Sequence, residues 1–366
     1  MNVNVIELNE MIDLLNRFFH YSSEKHLVIG GIVGSHPLTY VLDTVTGFTT
    51  FDNVLILEGC ADFAYIPKQF MNNYIPYQYI LEDAYVEDIN PPQPFVFDLW
   101  EKKLPTMKRV NRNFIKSFDV VIVNNAHLIE PQFRGMIGEA ANMKCIFIGD
   151  PYDIGGEEFS YAPVITDCLE KQSAIVGMAR NLYDVSTRML DKRVPGDVKN
   201  GKISRRGIGK LDGKMYVSNN AKLVEAYQNE YRKIPFRKGQ RFFVTDDRVQ
   251  YVFEEDNKTK HVIYKNTMLQ MQKATAVAQP NIMCLYHSKK SIKAYIEYDN
   301  KEKFPNERDY HILVKPANIL TVDDARYHRY LDTVLIFTGE LTRRQLYSVM
   351  KNSVNLTICD MKKGVF

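Results

Sequence analysis

The chain has 366 residues, 45% hydrophobic and 25% charged, and its 47 Lys and Arg against 44 Asp and Glu leave a net charge of +3. These fractions exclude a disordered, collagen-like or fibrous chain, and the length is that of about two domains. So small a net charge does not mark a nucleic-acid binder, and any basic surface has to be local.

The chain opens on MNVNVIELNEMIDLL, which carries acidic residues and lacks the basic start and small-residue cleavage site of a secretory signal. Met11, Leu14, Leu15, Phe18 and Phe19 recur at three- and four-residue spacing and predict a helix with one apolar face. HLVIGGIVG follows and reads as a buried strand running into a tight glycine loop. NVLILEG (53–59), DVVIVNNAHLI (119–129) and KCIFIGDPYDIGG (144–156) are further apolar runs, each ending in Gly, Asn or Asp. Apolar runs without alternation are strands covered on both faces, which predicts a parallel sheet in an α/β layout.

The interval from about 67 to 115, rich in Tyr and Pro, reads as an insertion. A second α/β region starts near 170. Between about 235 and 318 the pattern changes to short strands bounded by charged turns: QRFFVTDD, VQYVFEED, KHVIYKN, IKAYIEYD and YHILVKP. These predict a small antiparallel subdomain. DTVLIF, a helix over LTRRQLYSVMKN and a last strand, NLTIC, return to the α/β pattern. Five scattered cysteines show no CxxC and no zinc-like spacing, which fits a reducing compartment. No apolar run approaches ~18 residues, so no transmembrane helix is expected, and a soluble cytoplasmic protein is.

Ligands of open α/β sheets bind beyond the carboxyl ends of the strands. There the sequence places GIVGSHPL (31–38), VNNAH (123–127) and IGDPYD (148–153), followed by Arg180 and by LYSVMKNS (346–353). This order resembles superfamily one DNA helicases, most closely the Dda-like and RecD-like group. The resemblance implies two RecA-like α/β domains with mostly parallel sheets: residues 1–168 with the insertion, and residues 169–366 with the β-rich insertion.

It also implies an ATPase whose working groups have been replaced. The family's phosphate loop reads roughly GxxGxGK followed by Ser or Thr; its N–H groups and lysine hold phosphates and its hydroxyl holds magnesium. Here Gly31 and Gly34 keep the first two glycines, while His36, Pro37 and Leu38 stand for glycine, lysine and hydroxyl. The family's Asp-Glu pair is Asn124-Asn125, and a neutral amide is neither a good magnesium ligand nor a general base. Asp150 is kept, Asp153 stands for a glutamine, and Lys351-Asn352 replaces the segment ending in the family's phosphate-stabilising arginine. Asp323 and Arg326 fall at the histidine and glutamine of a further motif. Arg180 matches a phosphate-facing arginine of the family. Gly31, Gly34, His36, Pro37, Asn124, Asn125, Asp150, Arg180 and Asn352 thus line a vestigial cleft in which no catalytic residue, metal or cofactor is expected.

Between 188 and 214 nine Lys and Arg meet only three Asp. This local excess in a nearly neutral chain suits a phosphate track. The candidates are Arg188, Arg193, Lys199, Lys202, Arg205 and Arg206, with Arg237 and Arg241 from a second cluster, and Phe63 as a stacking residue. The function expected is a catalytically inactive, helicase-like accessory that binds single-stranded nucleic acid in a phage-like replication, repair or transcription assembly, with other proteins of that assembly as further partners and no membrane. Two alternatives stay open: a scaffolding protein on a helicase fold, and a divergent working NTPase.

Overall fold

Side chains of a strand buried on both faces fall into two sets, one per face, and that division organises the first half of the chain. The computed structural model describes residues 5–6, 8–31, 37–60, 73–84, 107–159, 164–165, 199–200, 213–245, 250–254, 260–277, 282–287, 290–298 and 311–360. The first unit contains β1 (Val5–Ile6), α1 (Leu8–His20), β2 (His26–Gly30), α2 (Pro37–Val45), β3 (Val54–Glu58), β4 (Tyr74–Pro76), β5 (Leu81–Ala84), β6 (Met107–Val110), α3 (Arg112–Lys116), β7 (Val120–Asn124), α4 (Pro131–Ala140), β8 (Lys144–Gly149) and β9 (Val164–Ile165). Seven of these strands make one parallel sheet in the order β1-β9-β2-β8-β7-β3-β4. On one face Val54, Ile56, Val120, Ile122, Ile146 and Ile148 pack with Met11, Leu15 and Phe18 of α1 and Val41, Leu42 and Val45 of α2. On the other, Leu55, Leu57, Val121, Val123 and Cys145 meet Ile115 of α3 and Ile137 and Ala140 of α4. Each such aliphatic side chain contributes about 1.5–3 kcal/mol when fully buried.

Within the Tyr- and Pro-rich interval, β4 extends this sheet in parallel beside β3, and β5 and β6 form a separate antiparallel pair. Pro76 is tolerated because β4 is the outermost strand, where a missing N–H breaks no ladder.

The second unit contributes β10 (Lys199–Asn200), β11 (Met215–Ser218) and α5 (Ala221–Tyr231) before an antiparallel module intervenes. The module comprises β12 (Arg241–Val244), β13 (Gln250–Glu254), β14 (Lys260–Ile263), β15 (Met268–Met271), β16 (Ile282–His287), β17 (Lys290–Tyr298) and β18 (His311–Pro316). Its order is β14-β13-β17-β16-β15-β12-β18, and a parallel β17–β18 pairing closes the sheet on itself around Phe236, Phe242, Leu269, Leu285 and Val314. Two of these strands, MLQM and IMCLYH, go beyond the five that the sequence predicts. Leu and Met dominate them, residues that carry little β preference on their own.

The chain returns through β19 (Ile319–Thr321), α6 (Val322–Ala325), β20 (Tyr330–Phe337), α7 (Arg343–Lys351) and β21 (Ser353–Asp360). The second parallel sheet runs β10-β21-β20-β11-β19. Thr342 and Gln345 form a capping box that starts α7. Leu346, Val349 and Met350 seat the helix on the second sheet, which leaves Arg344, Tyr347 and Lys351, spaced by three and four, along another face.

In the first sheet β2 lies between β8 and β9, so the chain leaves β2 and β8 toward opposite sides. A crevice therefore opens beyond their carboxyl ends. The face of α7 carrying Arg344, Tyr347 and Lys351 meets the turn that follows β8.

Candidate functional site

Two polar clusters stand at the carboxyl ends of the first sheet, one within that unit and one shared with the second. The first centres on Glu58, the last residue of β3, whose side chain is fully buried. Its Oε2 accepts from Asn124 Nδ2 at 2.7 Å and Tyr74 Oη at 3.2 Å; its Oε1 accepts from Asn125 Nδ2 at 2.7 Å and the Cys60 N–H at 3.1 Å. Burial drives the Glu58 carboxyl above its ordinary value, and the four donors hold the rise back. Asn125 sits at φ 50, the left-handed region that asparagine adopts more readily than most residues. The sequence singles out the two amides, but their partner lies on a neighbouring strand. The only local signal for Glu58 is a carboxylate closing an otherwise apolar run.

The second cluster is built on the turn after β8. Asp150 uses Oδ1 to accept the Tyr152 N–H (2.9 Å), and Asp153 uses Oδ1 to accept the Ile154 N–H (2.7 Å). Their other oxygens face the second unit. Lys351 Nζ lies 3.2 Å from Asp150 Oδ2 and 2.5 Å from Asp153 Oδ2, and Tyr347 Oη donates to Asp150 Oδ2 at 3.0 Å. The Lys351, Asp150 and Asp153 side chains are 7%, 4% and 0% exposed, so this is a buried ion-pair set. His127 closes it from below: Nδ1 accepts the Asp150 N–H at 3.1 Å, so Nε2 carries the proton, 3.1 Å from Asp153 Oδ2.

Burial lowers the His127 pKa despite the neighbouring carboxylates, and the ring is held neutral. Burial opposes ionisation of Asp153, but Lys351 and the His127 hydrogen bond outweigh it and hold the carboxyl well below its ordinary range. Burial likewise opposes the charge on Lys351, and the two aspartates more than offset it. Around this core Arg344 Nη1 donates to the Pro151 and Asp153 carbonyls (2.7 and 2.8 Å), and Arg326 Nη1 donates to the Ile154 carbonyl (2.6 Å).

The remaining sequence-derived positions divide sharply. Gly31 donates its N–H to the Gly149 carbonyl at 2.9 Å, and its α-carbon faces the Pro37 ring so closely that a Cβ there would lie 2.6 Å from Pro37 Cγ. Pro37 opens α2, where a missing N–H costs nothing, and Leu38 lies in the core with Val41 and Leu42. Asn352 donates to the Arg326 carbonyl at 3.0 Å; the residue that reaches the two aspartates is its neighbour Lys351. Arg241 is committed to the Gly213 and Lys214 carbonyls, whereas Arg237 is exposed in the turn entering β12. Lys199 lies on β10. Gly34, His36, Phe63, Arg180, Arg188, Arg193, Lys202, Arg205 and Arg206 lie outside the described residues.

Among the described residues these groups do not fit a magnesium-bound triphosphate. The amides are engaged with Glu58, the proline and leucine are engaged in packing, and the lysine is already neutralised. No group of three or more His, Cys, Asp or Glu that could hold a metal occurs among the described residues, and no described helix is long and apolar enough to cross a membrane.

The fold is similar to that of a Pif1 helicase from Bacteroides solved with ADP-AlF3 and ssDNA, with 11% identity, coverage of 96% of this chain and 92% of that one, and a TM-score of 0.50. The Pif1 helicase from Candida albicans aligns at 10% identity over 97% of this chain and 94% of its own, with a TM-score of 0.47. No family model and no curated protein sequence matches the chain. The fold is therefore similar to that of the Bacteroides Pif1 helicase: two RecA-like units with parallel sheets and a β-rich module, as the sequence predicts.

Three outcomes follow from the two clusters. Lys351→Met strands two buried carboxylates and lowers stability by about 3–5 kcal/mol in urea denaturation. Asn125→Asp sets a second carboxylate against Glu58, so the pair must share a proton; it destabilises increasingly as pH rises, and Glu58→Gln relieves the loss by roughly 0.5–3 kcal/mol in a double-mutant cycle. For His127 the folded pKa lies below 6.5, so the unfolded chain takes up the proton first on acidification and stability falls from about pH 6.5 downward. His127→Gln removes that contribution, and urea midpoints measured across pH 5 to 7 flatten accordingly.

Proposed function

We propose that this chain is a helicase-derived, catalytically inactive protein that binds single-stranded nucleic acid as an accessory in a phage-like replication, repair or transcription assembly. The observation that carries the loss of catalysis is Lys351. Where the family's motif ends in a phosphate-stabilising arginine this chain has Lys351-Asn352, and Lys351 is buried against Asp150 and Asp153 of the same chain. Asn124 and Asn125, which stand for the catalytic acids, spend their amides on Glu58. A missing arginine of that kind alone lowers phosphoryl transfer by about a thousandfold or more.

Support for nucleic-acid binding comes from two directions. One is the fold shared with a helicase solved on ssDNA. The other is the excess of nine Lys and Arg over three Asp between 188 and 214 in a chain of net charge +3. Binding through such a track is electrostatic and largely independent of sequence. The phage setting comes from the Dda-like sequence resemblance alone.

Fluorescence anisotropy with a labelled single-stranded oligonucleotide tests this. Affinity is expected in the roughly micromolar range at low salt, falling with a log–log slope of about −0.7 per phosphate contacted. Arg205→Glu with Arg206→Glu weakens it, and Mg-ATP neither alters it nor is hydrolysed. Absence of binding at low salt favours the scaffolding alternative. Phosphate release stimulated by the oligonucleotide overturns the assignment in favour of a working NTPase.

A further inference from the structure

We propose that the turn over residues 150–154 is a built-in ligand of the second α/β unit, locking the two units in one closed arrangement that needs no nucleotide. The turn is shaped before the second unit touches it. Asp150 and Asp153 each spend one oxygen on a backbone N–H of the turn itself, and the Gly156 N–H returns to the Asp153 carbonyl at 3.0 Å. Gly155, at φ +75, lets the chain fold back so closely that a Cβ there would lie 2.8 Å from the His127 carbonyl oxygen. Two carboxylate oxygens and three carbonyls of the turn face the second unit as acceptors, although the Asp153 carbonyl also takes the Gly156 N–H and Asp153 Oδ2 also lies 3.1 Å from His127 Nε2.

The second unit presents matching donors: the Lys351 ammonium and Tyr347 hydroxyl to the carboxylates, and the Arg344 and Arg326 guanidiniums to the Pro151, Asp153 and Ile154 carbonyls. Pro151, Tyr152 and Asp153 are buried, and the Tyr152 and Tyr347 rings meet edge to face at 5.8 Å. A second seam runs beside it, where Tyr327 Oη reaches the Leu128 carbonyl (3.3 Å) and Cys60 Sγ reaches the Tyr327 carbonyl (2.9 Å). An added polyphosphate would have to displace both aspartates from Lys351 before it could engage that cation. The lock goes beyond the proposed function, since a nucleic-acid binder could equally have a mobile cleft.

Hydrogen-exchange mass spectrometry and small-angle X-ray scattering on the full chain test the lock without nucleic acid. In the native protein, peptides covering 150–156 and 343–352 should exchange slowly, and neither their rates nor the radius of gyration should change with millimolar Mg-ATP. Lys351→Gln should speed exchange in both peptides by roughly tenfold or more, while the strands at 120–124 and 144–149 keep their protection and the radius of gyration rises. Arg344→Gln leaves both carboxylates paired and serves where Lys351→Gln does not fold; it should speed the same two peptides. Unchanged exchange in a folded variant, or compaction of the native protein by Mg-ATP, overturns the proposal.

Discussion

At the interface between the two α/β units, one ammonium group of the second is paired with two carboxylates of the first. Lys351 Nζ faces two buried carboxylates, and the nearby imidazole of His127 is neutral, so the set carries one negative charge in excess. An uncompensated buried charge is costly, and it persists only where dipoles and further donors surround it. Here the Tyr347 hydroxyl and two turn N–H groups supply the dipoles, and two guanidiniums sit at the adjoining carbonyls. Lys351 also ends α7, where the helix dipole favours a cation. Buried ion pairs often add little net stability against an apolar replacement. What this one fixes is geometry: acceptors on one unit and donors on the other are satisfied in a single docking position.

The Glu58 cluster obeys a related constraint inside the first unit. Two amides and a carboxylate make a complementary set, since Asn donates where a second acid would repel. Acids at 124 and 125 beside Glu58 would crowd three carboxylates at the ends of two adjacent strands, an arrangement that ionised groups cannot occupy together. Asn124, Asn125 and Glu58 therefore belong together as one unit, and the amides have a positive structural role. Pro37 and Leu38 follow the same pattern: each is placed where its own chemistry is favourable, at the first position of a helix and in an apolar core.

What was legible in the sequence was whatever depends on local pattern. The helix over Leu8–His20 and the strands at 26–30, 54–58, 120–124 and 144–149 follow from spacing and apolar continuity, because both faces of the sheet are covered. The capped helix at 343–351 is likewise written in TRRQLYSVMK. β15 and β16 were not legible, since MLQM and IMCLYH become strands through closure of the antiparallel module. In the site, the Asn pair, Asp153 and Lys351-Asn352 stand out as departures from a familiar order, beside a retained Asp150. Their partners do not, because Glu58 lies 66 residues from Asn124 and Lys351 lies 201 from Asp150. His127 reads in sequence as one more polar residue at a strand end. Only the fold sets it between the Asp150 N–H and the Asp153 carboxylate.

A motor of this architecture must have at least two arrangements of its units that a nucleotide distinguishes, because a ligand with equal affinity for both shifts nothing. In the proposed lock, a cleft closed by the chain's own charges removes one of those states. On the proposed function, binding along the basic track is then uncoupled from any chemistry in the cleft, and its strength is set by how many phosphates the surface reaches and by salt. The same closure keeps the two units in fixed register, so residues contributed by each to a bound strand need no ordering at the moment of binding, and that preorganisation favours affinity. On the proposed reading, the loss of a phosphate-stabilising arginine, with the neighbouring Lys351 neutralised internally, turns a moving machine into a rigid grip.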